Sequence, residues 1–216
     1  MKVGTDGMLL GALVATNNHD RVLDIGTGTG IIALMCAQKF QHAFIDAIEI
    51  DFNATEQAIL NFKASPFNWR LKAYNTDVLM FNPQYKYDLI VSNPPFFVNA
   101  LKNVNPDASI ARHTEYKFFI QFFQKTFLWL APKGTLWLIL PVELAIQLKK
   151  EAQRQGFFLK NEINIRHNQE KPIKRTVLAF CKYSTTTDQQ EIYIKNMDDS
   201  YSTVYQNLMR DFLLIF

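Results

Sequence analysis

Residues 21–37 read Arg21-Val22-Leu23-Asp24-Ile25-Gly26-Thr27-Gly28-Thr29-Gly30-Ile31-Ile32-Ala33-Leu34-Met35-Cys36-Ala37. A short apolar strand runs into a turn with glycine at every second position, and a helix with an apolar face follows. This is the opening of a nucleotide-binding α/β unit. Glycine tolerates positive φ and lets backbone approach a ligand closely. The spacing is Gly-x-Gly-x-Gly, whereas dinucleotide sites use Gly-x-Gly-x-x-Gly and rest a pyrophosphate on the helix N-terminus. Asp24, ahead of the glycines, is expected to place a carboxylate in the pocket and so to favour a cationic or amino-bearing ligand. A glycine-rich turn by itself is a weak signal.

Working outward, three more predicted strand ends carry polar groups. Ala43 to Ile50 reads as a buried strand closing on Glu49-Ile50-Asp51. Glu49 lies 25 positions beyond Asp24, close to the spacing at which an acid meets ribose hydroxyls. Asn75-Thr76-Asp77-Val78 follows the strand Arg70 to Tyr74, and an aspartate there can accept from an adenine amine. Each acid taken alone is more often a solvated loop carboxylate than a ligand contact. Arranged in order at successive strand ends, they match the way open α/β sheets bind ligands.

The fourth strand end is Tyr87-Asp88-Leu89-Ile90-Val91-Ser92, which delivers Asn93-Pro94-Pro95-Phe96-Phe97 into a loop. Two prolines fix φ and remove backbone donors, so the turn is stiff and presents carbonyl acceptors. The Asn93 side-chain oxygen is a further acceptor, and Phe96 offers a flat face for stacking. Two acceptors and a ring fit an amine on a conjugated system better than a carboxylate or phosphate. A plain Pro-rich surface turn is the competing reading of these five residues alone.

With these motifs in place, the chain resembles the S-adenosylmethionine-dependent methyltransferases. More narrowly, it resembles the bacterial tRNA adenine-N6 methyltransferases that modify valine tRNA beside the anticodon. The narrower likeness rests on Met1 to Gly11, Asn93 to Phe97, Ala111-Arg112-His113-Thr114, Lys171-Pro172-Ile173-Lys174-Arg175 and the tail Tyr201 to Phe216. Members of that family carry a short segment ahead of the Lys-Val-Gly-Thr-Asp-Gly stretch. This chain begins within it, so the segment is expected to be truncated or the start to lie upstream.

The resemblance implies S-adenosylmethionine as cofactor and tRNA as substrate. It implies that Lys2, Thr5, Asp6, Asp24, Gly26, Thr27, Gly28, Gly30, Glu49, Ile50, Asp77, Val78 and Asn93 border the cofactor. It gives Asn93, Pro94, Pro95 and Phe96 the catalytic turn. Accepting the amine hydrogens on the Asn93 oxygen and the Pro94 carbonyl stabilises positive charge developing on the nitrogen. No dedicated general base is required. Phe96 and Phe97 are expected at the base, Arg112 at a phosphate, His113 in the base pocket, and Lys174 and Arg175 at phosphates. Arg112-His113 falls in a loop expected to run about twenty residues beyond the turn.

The 216 residues are 48% hydrophobic and 13% aromatic, enough for one compact catalytic domain spanning residues 1–216. Net charge is +3, short of the strongly basic signature of a general nucleic-acid binder. Lys149, Lys150 and Arg154 read as a solvated helix face. Cys36 and Cys181 look like small core residues without metal or disulfide spacing. His19, His42 and His167 have no partner pattern, so no metal is expected. With no signal peptide or bilayer-length apolar run, a cytoplasmic protein is expected, without membrane association and favoured as a monomer.

The expected fold is α/β, a Rossmann-like class I methyltransferase. Its sheet is seven-stranded and mostly parallel, with an antiparallel last strand and helices on both faces. Strands are expected near 21–25, 43–49, 70–75, 87–92, 134–140, 157–166 and 175–183. Helices are expected from Thr5-Asp6 as a cap through Val14, near 30–39, 52–64, 115–130 and 143–155, and over 201–214. Residues 184–200 read as a loop or weak edge element.

Other chemistries share parts of this pattern. Methyltransferases of protein glutamine amides and of ribosomal guanine N2 use a similar Asn-Pro-Pro-aromatic turn. The glutamine enzymes carry an added helical domain and a Tyr at the aromatic position, which is Phe96 here. No target-recognition domain suggests DNA methylation. An NAD-dependent oxidoreductase or a non-catalytic nucleotide-binding module completes the alternatives.

Overall fold

The computed structural model describes residues 4–14, 19–94 and 106–215, with 106–115 described by backbone alone. Five strands run parallel: β1 (Arg21–Ile25), β2 (Phe44–Glu49), β3 (Leu71–Asn75), β4 (Tyr87–Ser92) and β5 (Leu130–Leu140). Val22, Leu23, Leu89, Ile90 and Val91 are fully buried, as expected of parallel strands covered on both faces. Strands β6 (Phe158–Arg166), β7 (Ile173–Cys181) and β8 (Asp188–Tyr193) complete an eight-stranded sheet of order β3-β2-β1-β4-β5-β7-β6-β8. Strand β7 is antiparallel to both β5 and β6, while β8 pairs parallel to β6.

The helices are α1 (Thr5–Leu13), α2 (Ile31–Lys39), α3 (Phe52–Ala64), α4 (Pro106–Trp129), α5 (Val142–Arg154) and α6 (Thr203–Met209). Two apolar clusters lie against opposite faces of the sheet. One joins α1, α2, α3 and α6 to Val22, Ile45, Ala47 and Val91. The other joins α4 and α5 to Leu23, Ile48 and Ile90 through Phe119, Phe122, Phe123 and Leu148. Buried Arg70 closes the C-terminal end of α2, donating to the carbonyls of Ala37, Phe40 (2.9 Å) and Ala43 (3.0 Å). A cation there meets carbonyls that the helix leaves unpaired.

The α/β class with helices on both faces is borne out, with four corrections. The sheet has eight strands, not seven. The eighth, β8, falls in the stretch read as a loop or weak edge, because its bonds to β6 are backbone bonds and need no apolar run; Ile192 alone in it is buried. Helix α4 begins at Pro106, so Arg112 and His113 lie in a helix, not in a loop. Proline at a first helical position was the available signal. Thr5 does not cap α1: Gly4 occupies that place with no side-chain cap bond, and the Asp6 carboxylate goes to Arg175 instead. The terminal helix is shorter than 201–214, starting after Ser202, whose hydroxyl caps it by accepting from Tyr205 N (3.1 Å), and ending at Met209.

Candidate active site

Chain order reverses between β1 and β4: β2 and β3 follow on one side, β4 and β5 on the other. Open α/β sheets bind ligands at such a switch point, outside the carboxyl ends of the strands. A cavity of about 650 Å³ opens there. Going along the sheet edge, it is lined by Ser92, Asn93 and Pro94 after β4, Gly26 to Thr29 after β1, Glu49 and Ile50 after β2, and Thr76 to Val78 after β3. Helix α1 adds Asp6 and Gly7, and α4 adds Phe118 and Phe122.

Local bonds fix each strand end. Gly26 N and Thr27 N donate to Ile48 O (2.9 and 3.1 Å), so the chain leaving β1 folds over β2. Gly30, with φ of 87°, caps α2 and lies so close to Phe62 that a Cβ would stand 2.5 Å from the ring. The Glu49 carboxylate accepts from Gly28 N (2.9 Å) and Asp51 N (3.0 Å). Asp51 in turn caps α3 by accepting from Ala54 N (2.7 Å). Thr76 N donates to Glu49 O (2.9 Å), tying the β3 end to the β2 end, and Asp77 Oδ1 accepts locally from Leu79 N (2.8 Å). Ser92 Oγ donates to Ile25 O (2.8 Å), which holds the start of the Asn-Pro turn beside the glycine turn.

At the site, the buried Asp24 Oδ1 and Asn93 Oδ1 have no hydrogen-bond partner among the described residues. Asp24 is wholly buried behind the glycine turn, with Oδ2 accepting from Thr27 Oγ1 (2.6 Å) and Ala33 N (3.2 Å). Loss of hydration pushes its carboxyl up to about 7; the Thr27 and Ala33 bonds oppose this and the nearby Glu49 charge adds to it. Asn93 follows Ser92, the register partner of Ile25, so its amide stands one strand away from Gly26. Unpaired acceptors of this kind are costly in a folded protein and mark places where a donor is awaited.

Of the residues picked from sequence, one cavity collects Asp6, Gly26, Thr27, Gly28, Glu49, Ile50, Asp77, Val78, Asn93 and Pro94. Asp24 sits behind the turn, Gly30 packs on Phe62, and Thr5 opens α1 as an exposed residue. Lys174 is exposed at the start of β7, and Arg175 beside it donates to Asp6 Oδ2 at 2.6 Å. Lys2, Pro95, Phe96 and Phe97 lie outside the described residues, as do the side chains of Arg112 and His113. Phe118 and Phe122 were not anticipated; aromatics spaced i, i+4 on one helix face were their signal. Among the described residues, no three His, Cys, Asp or Glu side chains are grouped to hold a metal ion. Nor is any described helix long and apolar enough to cross a membrane.

The strand order, the switch-point cavity and the Asp-x-Gly-x-Gly-x-Gly turn define a class I S-adenosylmethionine-dependent methyltransferase fold. Residues 3–155 match the family model described as methyltransferase small domain. A tRNA1(Val) (adenine(37)-N6)-methyltransferase of Pedobacter heparinus is 38% identical over 216 residues, covering 100% of this chain and 92% of the relative. The Photorhabdus laumondii protein of the same name is 38% identical, covering 100% of this chain and 90% of its own. The chain belongs to the family of these tRNA1(Val) (adenine(37)-N6)-methyltransferases, as its sequence motifs implied. Among solved structures, a predicted O-methyltransferase from Agrobacterium tumefaciens superposes with a TM-score of 0.78 at 16% identity, covering 96% of each chain. The ribosomal protein L11 methylase of Lactobacillus delbrueckii gives 0.60 at 15% identity over 83% of this chain and 78% of its own. At such identities the likeness is one of fold.

Proposed function

We propose that this chain, as a single cytoplasmic catalytic domain, transfers the methyl group of S-adenosylmethionine to the exocyclic N6 amine of an adenosine in tRNA. The expected position is next to the anticodon of valine tRNA. The observation that carries the reading is the buried Asn93 Oδ1, without a partner among the described residues, at the switch point directly ahead of Pro94 and beside the glycine turn. An acceptor fixed there suits an amine hydrogen, and the names borne by close relatives supply the nucleoside and the RNA.

S-adenosylmethionine supplies a methyl already activated on a sulfonium, so the protein's task is alignment. The cavity residues fit such a molecule. Glu49 keeps lone pairs beyond its two backbone bonds and can accept from ribose hydroxyls, with exposed Ile50 as an apolar neighbour. Asp77 uses only Oδ1 on Leu79 N and can accept from an adenine amine beside Val78. Gly26 to Thr29, with Asp6 from α1, border the amino-acid end. Asp24, as it ionises near pH 7, puts negative charge behind the turn, where a cation is favoured.

At the target base, the Asn93 oxygen and the Pro94 carbonyl accept the two amine hydrogens. This draws the nitrogen lone pair out of conjugation and stabilises the positive charge that develops on attack. Pro95 stiffens the turn, Phe96 stacks on the adenine and Phe97 walls it. Arg112 and His113 are assigned to the RNA by the family motif, and exposed Lys174 to a phosphate. The adenosine must leave its stack first, which costs least in a single-stranded loop.

Incubation of tritiated S-adenosylmethionine with unmodified total tRNA, followed by nucleoside digestion and mass spectrometry, tests the reading. Label is expected as N6-methyladenosine, and Asn93→Ala is expected to lose turnover while keeping cofactor affinity. Label in ribosomal guanosine or protein glutamine would refute the tRNA assignment and keep the methyl transfer.

A further inference from the structure

Four ion pairs are found among the described residues. Lys149 with Glu162, Arg154 with Glu151 and Arg166 with Glu191 each fasten neighbouring structure away from the cavity. The fourth is different. Arg175 Nε donates to Asp6 Oδ2 at 2.6 Å, across 169 positions of sequence, and Asp6 lines the cavity. Arg175 Nη1 also donates to its neighbour's carbonyl, Lys174 O, at 2.9 Å, which fixes the guanidinium plane.

Helix α1 has nine residues. Helices of that length do not hold their place in water without tertiary contacts. Its C-terminal half is well secured: Leu9, Leu10, Ala12 and Val14 are buried, and Lys39 Nζ donates to Ala12 O (2.7 Å) and to Val14 O. The first turn is held by less: Gly7 is buried beside Ile31 and Ile32, but Asp6 and Met8 are only partly covered. Gly4 and Thr5 are exposed and no side chain caps the helix. Yet that turn is the part that walls the cavity, through Gly4, Asp6 and Gly7.

We propose that Arg175 is a positioning residue for the cofactor: its bond to Asp6 clamps the first turn of α1 against the crevice. The proposal rests on reading the cavity as the S-adenosylmethionine site. It separates Arg175 from Lys174. The Arg175 charge is met by a carboxylate at 2.6 Å, with both side chains about three-quarters covered. A phosphate approaching from solvent therefore meets a neutralised pair at Arg175 and, at exposed Lys174, a cation with no ion-pair partner among the described residues. Arg175 belongs to the cofactor end of the site and Lys174 to the RNA end.

The test compares Arg175→Met, Arg175→Lys and Lys174→Ala in the full chain. Calorimetry measures S-adenosylhomocysteine affinity, filter binding measures valine tRNA affinity at two salt concentrations, and hydrogen exchange follows the amides of residues 5–10. Arg175→Met is expected to weaken the cofactor analogue about tenfold, the size of one lost charged bond. It should also speed exchange in residues 5–10 alone and leave tRNA affinity and its salt dependence within twofold. Arg175→Lys is expected to recover part of the loss, and Lys174→Ala to show the reverse pattern, weakening tRNA only. If Arg175→Met weakens tRNA with a shallower salt slope and spares cofactor affinity and exchange, the proposal is overturned in favour of a phosphate contact. Exchange accelerated throughout the sheet would overturn it in favour of general stability. An unsubstituted protein that fails to bind the analogue would refute the cofactor reading itself, and this proposal with it.

Discussion

Replacing Asp24 by Asn tests the electrostatics of the site most directly. The carboxyl is fully buried behind the glycine turn, and its pKa stands at about 7 against an ordinary 3.8. At 1.36 kcal/mol for each tenfold change, that displacement amounts to about 4 kcal/mol of folding stability given up once the group is ionised. The sign follows from proton counting. Between pH 3.8 and about 7 the folded chain holds a proton that the unfolded chain has released, so this group's contribution falls as pH rises and levels off above 7. Asn keeps an acceptor for Thr27 and Ala33 but carries no charge to desolvate. The stability gap between Asp24→Asn and the unsubstituted protein should therefore widen in favour of the variant by about 2–3 kcal/mol from pH 5 to pH 8. For a chain of this length that is about 5–10 °C in melting temperature. Denaturant titrations at several pH values read the gap, and any constant offset from the new amide cancels. The same ionised carboxylate favours a cationic ligand, so S-adenosylmethionine binding should tighten between pH 6 and 8 and lose that pH dependence in the variant. A gap that stays constant from pH 5 to 8 would show that the carboxyl is well solvated in the fold and would refute the reasoning.

Two of the turn's three glycines, Gly30 and Gly26, should separate into a structural and a binding role. Gly30→Ala combines φ of 87° with a Cβ 2.5 Å from Phe62, so a loss of about 3 kcal/mol is expected, partly recovered by Phe62→Leu, in thermal unfolding. Gly26→Ala has φ of 70° but nothing within 4 Å of its Cβ, so it should cost only about 1 kcal/mol in folding while its methyl weakens the cofactor analogue more than tenfold by calorimetry. Lys174→Glu should weaken tRNA binding and reduce its salt slope by about one, read by filter binding over a salt series.

The β1 and β4 ends were legible because those strands are almost wholly buried and largely apolar, so Asp24 and Asn93 stand out. Strands β2 and β3 are partly exposed and carry Asp46 and Lys72, so Glu49 and Asp77 were legible by their spacing after the glycine turn instead. Strand β8 could not be found by the same rule. Asp188, Gln189, Gln190 and Glu191 are exposed and reach β6 by backbone bonds, which leave no mark on side-chain type. An Asn-Pro-Pro turn suggests a long loop after it, which hides the first turns of α4; Pro106 at the first helical position is the sign of where the helix starts. The pairing of Asp6 with Arg175 was invisible for another reason. Both residues were marked as functional, but nothing local links a first-turn aspartate to an arginine 169 positions later.

That link follows from the direction of one strand. The parallel strands β1 to β4 present their C-terminal ends to the cavity. If β7 ran the same way, the cavity edge would receive its last residues, near Cys181. Because β7 is antiparallel to β5, Thr176 stands opposite Leu140 at the C-terminal end of β5, and the edge receives the first residues of β7 instead. Lys174 and Arg175, with the Lys171 turn before them, are thereby carried to the side of the sheet where Asn93 and the glycine turn lie. Helix α1, packed on α2, brings Asp6 to the same side from the other end of the chain. A single reversal in the sheet thus makes neighbours of the proposed cofactor wall and the cation proposed for RNA, which is why the two adjacent residues Lys174 and Arg175 should fail in different assays.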